Sequence, residues 1–150
     1  MIEVSCPGPE HTLALASRVA PLVRPGDLIV LAGSLGAGKT LFAGGLASGL
    51  GVEEAVVSPS FVLVRQYSSG FLPFVHADIY RLSSINEFDD LDVFEIARDG
   101  VLVIEWGDAI EATLPTDHLR VRIDVAGEDT RVISFEPFGS WTDRDWESVT

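Results

Sequence analysis

Lysine is nearly absent from this chain. Of ten cationic side chains nine are arginine, and the single lysine is Lys39. Cysteine is as scarce: Cys6 stands alone, which excludes a disulfide framework and a thiolate metal cluster. Long apolar runs are missing too. No stretch approaches the roughly 20 apolar residues that span a bilayer, and the opening residues lack the charged-then-apolar pattern of a secretion signal. These absences lead to the expectation of a cytoplasmic protein with no membrane contact. Positive charge is short overall, since 23 acids against 10 bases leave a net charge of −13 and a pI near 4.4. Such a surface does not grip nucleic acid unaided, because phosphate binding needs clustered Lys and Arg, and the arginines here are scattered. Any RNA involved is expected to be held by a partner. Plain solubility explains the acidity equally well.

What is present reads as one globular domain over residues 1–150. A hydrophobic fraction of 47% with 22% charged residues allows a real core. The lone lysine closes Gly33-Ser34-Leu35-Gly36-Ala37-Gly38-Lys39-Thr40, a complete G-x-x-x-x-G-K-[ST] phosphate loop. Its position asks for a compact point charge on a long stem, which is what lysine offers and arginine does not. The glycines let successive backbone N–H groups aim at phosphate oxygens, the following helix adds its positive end, and the Thr40 hydroxyl is placed to ligate Mg²⁺. Residues 27–32 read as a buried strand and residues 40–50 as a helix, the strand–loop–helix setting that the motif needs. The nucleotide-contacting set is therefore Gly33, Leu35, Gly36, Ala37, Gly38, Lys39, Thr40 and Leu41. Lys39 is expected at the surface, as a ligand and not a core residue.

Elsewhere the pattern predicts a short strand at 2–4 and a helix from Pro9 to about Val23 that Pro21 ends or bends. Segments 61–67 and 71–79 flank Ser68-Ser69-Gly70 as a hairpin. Ser84-Ile85-Asn86-Glu87 and Asp92-Val93-Phe94-Glu95 are two capping boxes, each predicting a short helix. Residues 101–104 form an apolar, β-branched run, hence an interior strand. Residues 119–125 and 131–135 alternate and make a second, half-exposed hairpin. From about residue 140 the chain is polar with Trp141 and Trp146, either a short helix or a mobile end. The fold expected is α/β, with a central mostly parallel sheet flanked by helices and an added C-terminal hairpin.

A phosphate loop needs a carboxylate at a neighbouring strand end to hold Mg²⁺ or its waters. Glu105 follows residues 101–104, and Asp78 follows Phe74-Val75-His76-Ala77; an acid at a strand end can also simply face water. His76, Asp78 and Tyr80 lie two apart and so share one strand face. His76 with Asp78 has no third ligand nearby for a transition metal. Asp78 more naturally orients water or Mg²⁺, with His76 and Tyr80 behind it. Arg81 could reach a γ-phosphate, meet a partner or lie idle on the surface.

Gly33 to Thr40, Ser58-Pro59-Ser60-Phe61, His76-Ala77-Asp78-Ile79-Tyr80-Arg81 and Val103-Ile104-Glu105-Trp106, in this order and spacing, resemble the TsaE (YjeE) family. These are small ATPases of tRNA threonylcarbamoyladenosine biosynthesis. The resemblance runs from the first helix to the second hairpin. It implies a P-loop fold with ATP in the loop, Mg²⁺ held by Thr40 and Glu105, and Asp78 as the carboxylate needed for hydrolysis. Ser58 to Phe61, with the Ser60 hydroxyl, would be a switch over the phosphates, and Trp106 would pack beside the site. It further implies docking on TsaD-like and TsaB-like partners, which hold the tRNA and transfer the threonylcarbamoyl group while ATP hydrolysis resets the complex. Two positions depart from the family pattern: Ser34 stands where Asp is usual, and Ser60 where Thr is usual. A small-molecule or nucleoside kinase is the rival enzyme, though residues 83–99 carry one arginine and many acids where a kinase lid carries arginines. A nucleotide-sensing module with negligible turnover is the rival that is not an enzyme.

Overall fold

Residues 28–32 and 101–104 carry no polar side chain, so they belong where both faces of a sheet are covered. A computed structural model of the chain describes residues 1–59, 63–80, 82, 85–106 and 110–150. Both runs lie at the centre of its sheet. The strands are β1 (Ile2–Cys6), β2 (Asp27–Gly33), β3 (Val64–Tyr67), β4 (Phe74–Asp78), β5 (Val101–Glu105), β6 (Leu119–Val125) and β7 (Arg131–Pro137). Among the described residues they form one seven-stranded sheet in the order β1-β7-β6-β2-β5-β4-β3.

The four inner strands β6, β2, β5 and β4 run parallel. Both margins are antiparallel: β7 pairs with β6 and β1 on one side, and β3 pairs with β4 on the other. The expected parallel centre is present, while the antiparallel margins make the sheet as a whole mixed. The β6–β7 hairpin is no appendage, because β6 pairs directly with β2 from Ile29↔Leu119 to Gly33↔Ile123. Alternating polarity in 119–125 reports one exposed face; it does not report which strand lies alongside.

Helices α1 (Pro9–Val19) and α2 (Lys39–Gly49) cover one face of the sheet, and the short α3 (Ile85–Asp90) and α4 (Val93–Ile96) cover the other. Pro9 stands in the first turn of α1, where its missing N–H is not needed. Pro21 ends α1 by tightening the chain into a 3₁₀ turn, Ala20–Leu22. α1 and α2 meet through two glycines one turn apart. A Cβ at Gly45 would lie 2.8 Å from the Leu13 carbonyl oxygen, and one at Gly49 would lie 2.8 Å from Ala20 Cβ. Leu15, Val19, Phe42 and Leu46 then pack on Ile29 and Leu31, while Leu28 and Val30 face Phe88, Val93 and Leu102. Each such side chain contributes about 1.5–3 kcal/mol by leaving water. The second capping box is not realised. Asp92 sits at φ 54°, ψ 34° and makes no side-chain cap bond, whereas a capping residue needs extended backbone. Ser84 of the first box lies outside the described residues.

The end of the chain is part of the core. It forms two 3₁₀ turns, Gly139–Asp143 and Trp146–Ser148, that bury Trp141, Trp146 and Val149. Arg144 pairs with Asp27 through both guanidinium nitrogens, one contact measuring 2.9 Å, and lies 3.8 Å from the Trp141 ring centre. Of the two readings for this segment, the helical one describes it. Among the described residues no helix is long and apolar enough to cross a membrane.

Candidate functional site

The parallel strands β2, β5 and β4 all end on one edge of the sheet, and the chemistry collects there, as open α/β sheets direct. β2 ends at Gly33, whose φ of 146° and surroundings admit no side chain: a Cβ would lie 2.5 Å from the Ile123 carbonyl oxygen. Gly36 and Gly38 take the left-handed region, at φ 80° and 111°. The Ala37 N–H donates to the Ser34 carbonyl at 3.1 Å, and the Phe42 N–H donates to the Gly38 carbonyl at 2.9 Å, so α2 starts directly from the loop. Arg131 of β7 braces the turn from behind, donating from Nε to the Ala37 carbonyl at 3.0 Å. Ninety-four positions separate that pair, and nothing in the local sequence announces it.

Lys39 is not at the surface. It is 4% exposed, and its ammonium donates to the Gly33 and Ser34 carbonyls at 2.9 Å each. Nζ also stands 3.7 Å from the centre of the Trp106 ring, a cation–π contact in a site shielded from water. The expectation of a surface ligand is corrected: the loop and the aromatic ring enclose the charge. Trp106 follows β5 at φ 66°, a strained conformation for so large a side chain, and Tyr80 lies against it with ring centres 4.8 Å apart.

The two strand-end acids are direct neighbours, since Asp78 and Glu105 are register partners of β4 and β5. Both are buried, at 6% and 4% exposure. Glu105 Oε2 accepts from the Thr40 hydroxyl at 2.9 Å and meets His76 Nε2 at 2.6 Å. Asp78 Oδ1 accepts the Tyr80 N–H at 2.9 Å. His76 is completely buried, and its Nδ1 has no hydrogen-bond partner among the described residues, an arrangement that costs about 1–3 kcal/mol.

A cleft of about 360 Å³ joins these groups, with Leu35, Gly36, Gly38, Lys39, Thr40, Leu41, Asp78, Glu105 and Trp106 on its walls. Ser58, the start of the segment that the family resemblance makes a switch, lines it as well, and so does Tyr80, which the strand pattern placed behind the acids. Gly33 and Ala37 shape the loop without lining this cleft. Ala37 faces a second cavity of about 180 Å³, which Leu41 and Gly38 share with Pro9, Thr12, Asp129 and Arg131. Ser60 and Arg81 lie outside the described residues.

Two buried acids stand beside the phosphate-loop motif, where a hard divalent cation would offset repulsion between their carboxylates and an anionic ligand. Hydroxyl and carboxylate oxygens are the donors that Mg²⁺ prefers, and it binds through one or two protein ligands plus substrate phosphates. Among the described residues no group of three or more His, Cys, Asp or Glu is placed to hold a metal ion by itself. The donor set of Thr40 and Glu105, with Asp78 adjacent, fits Mg²⁺.

The sequence pattern of the family described as Threonylcarbamoyl adenosine biosynthesis protein TsaE matches residues 6–133. The chain belongs to the TsaE family. It is 42% identical over 133 residues to the tRNA threonylcarbamoyladenosine biosynthesis protein TsaE of Bacillus subtilis, covering 88% of this chain and 83% of that one. It is 49% identical over 119 residues to the protein of the same name from Streptomyces coelicolor, covering 77% and 80%. Among solved structures it resembles Bacillus subtilis YdiB with a TM-score of 0.76 at 36% identity, over 92% of this chain and 86% of that one. A role in tRNA threonylcarbamoyladenosine biosynthesis follows from membership of the TsaE family. The family match includes the loop, Asp78 and Glu105 and stops before the tryptophan-rich end.

Proposed function

We propose that the chain is a Mg²⁺-dependent ATPase that serves TsaD-like and TsaB-like partners in threonylcarbamoyl modification of the tRNA adenosine beside the anticodon. The observation that carries this reading is the contact between the Thr40 hydroxyl and Glu105 at the mouth of the phosphate loop. It joins the metal-ligating hydroxyl of the loop to a strand-end carboxylate, as an NTPase site requires.

On this reading the loop N–H groups and Lys39 hold the β- and γ-phosphates, and Lys39 exchanges its loop carbonyls for phosphate oxygens. Thr40 and Glu105 would hold Mg²⁺, which when bound would supply charge neutralisation for the transferred phosphoryl group. Asp78, one strand over, orients the attacking water and accepts its proton. Ser58 to Phe61, including the Ser60 hydroxyl, closes over the phosphates. Hydrolysis resets the partner complex, tRNA is met only through that complex, and the place of action is the cytoplasm. Turnover by the chain alone is weak, because slow NTPases of this kind lack a group that a partner supplies.

The test measures phosphate release and tRNA modification with the chain alone, with TsaD-like and TsaB-like partners, and with the partners and Lys39→Ala protein. The expected result is slow release alone, stimulation by partners, and modification that stops with Lys39→Ala. Fast turnover that partners do not change would favour a kinase, and ATP binding without any turnover would favour a sensing module.

A further inference from the structure

We infer that His76 is a positioning residue for the magnesium site, its Nε2–H fixing Glu105 Oε2 where Thr40 and the cation need it. The inference rests on the reading of the cleft given above. A carboxylate offers only lone pairs, so at 2.6 Å the hydrogen between His76 Nε2 and ionised Glu105 Oε2 belongs to the ring. The Thr40 hydroxyl donates to the same oxygen at 2.9 Å. One oxygen thus gathers a donor from β4 and a donor from the phosphate loop, and Glu105 cannot turn without losing both.

The other ring nitrogen argues that His76 is kept for this contact and not for packing. Nδ1 is buried without a partner among the described residues, and the ring touches Phe74 edge-on with centres 6.3 Å apart. An apolar side chain would fill that place with no unpaired nitrogen. Native chains rarely bury unpaired polar atoms, and those that remain call for a reason. Here the reason is a donor aimed at a carboxylate from a site closed to water, which holds the carboxylate more firmly than an exposed donor could.

The experiment compares wild type with His76→Leu, His76→Gln and His76→Asn, measuring the Mg²⁺ dependence of ATP affinity by calorimetry and the melting temperature without nucleotide. The Gln amide nitrogen reaches the place of Nε2 and restores the donor. Leu has no donor, and Asn is too short to reach Glu105. Loss of a residue that orients a metal ligand costs roughly 10- to 100-fold in metal affinity. The expected result is a Mg²⁺ requirement at least about tenfold higher in His76→Leu and His76→Asn and near wild type in His76→Gln, with His76→Leu melting lower than His76→Gln because Glu105 loses a buried donor. Should His76→Leu fail to fold, the Gln–Asn pair alone decides. Equal Mg²⁺ requirements across the variants, or equal losses in Gln and Asn, would overturn the inference and leave the cleft reading intact. A wild-type ATP affinity indifferent to Mg²⁺ would overturn both.

Discussion

The hydroxyl of Thr40 and the carboxylate of Glu105 lie 2.9 Å apart although 65 positions separate them in the chain. The contact ties the first turn of α2 to the end of β5. It also ranks the two acids, since Glu105 touches the loop hydroxyl while Asp78 Oδ1 accepts the Tyr80 N–H.

The ranking predicts different losses. Glu105→Gln should weaken Mg²⁺-dependent ATP affinity, because an amide oxygen is a neutral and weaker ligand and its nitrogen repels the cation. Asp78→Asn should leave that affinity nearly intact and slow hydrolysis by about 10²-fold, a usual size for a positioned acid–base group. Titration calorimetry and single-turnover phosphate release separate the two effects. The reverse pattern would assign the metal to Asp78.

The burial of Lys39 gives it a structural role beside its role as a ligand. Were it a surface ligand, removing it would leave stability untouched. Its ammonium instead satisfies two loop carbonyls and sits on Trp106. Lys39→Ala should therefore abolish ATP binding and also cost about 1–3 kcal/mol of stability. Lys39→Met keeps the stem, so it should recover part of the stability and none of the binding. Urea unfolding and calorimetry on both variants test this. Recovery of binding by Met would refute the phosphate role.

Much of this site was legible because it is contiguous. Eight successive residues spell the loop, and Glu105 directly follows the apolar run 101–104. The Arg131 brace, the enclosure of Lys39 and the Tyr80–Trp106 stack were not legible, because each joins elements that meet only after the sheet assembles. The same limit explains the sheet. Alternation in 119–125 announced a strand with one wet face, but its place beside β2 depends on α1 and α2 covering the opposite face. Asp92 is a different lesson: Asp-x-x-Glu fits a capping box, yet a left-handed residue between two short helices cannot present its carboxylate to the next turn.

Cys6 should be chemically silent. Burial pushes its thiol above the ordinary value of 9.0, against smaller opposing effects of a hydrogen bond with Thr12 and the charge of Arg18. A group with a raised pKa stabilises the fold fully below its unfolded pKa, and that contribution is lost as pH rises through the folded value. Stability should thus fall above about pH 9, and Cys6→Ala should fall less over the same window. Thiol titration is expected to find no reactive cysteine at pH 8 until denaturant is added. Rapid labelling of the folded protein would contradict the buried position.

The ion pair of Arg144 and Asp27 should act as a structural clasp remote from the nucleotide. Both side chains are almost fully buried, at 3% and 8% exposure, and Arg144 also donates to the Leu22 carbonyl at 3.1 Å and the Ser140 hydroxyl at 2.9 Å. Removing one partner strands the other charge in a desolvated place. Arg144→Ala should therefore cost about 3–5 kcal/mol. The double substitution Arg144→Met with Asp27→Leu should cost much less, since a buried pair replaced by apolar groups of similar volume is often near neutral. The clasp holds the chain end against the start of β2, whereas the phosphate loop follows the other end of that strand. ATP affinity of the folded Arg144→Ala protein should stay within about threefold of wild type, as sites without shared partners act independently. Urea unfolding of the single and double variants, with calorimetry on the single, checks both halves. A single variant as stable as wild type would show that the pair holds nothing in place. A larger loss of ATP affinity would show that the chain end supports the loop.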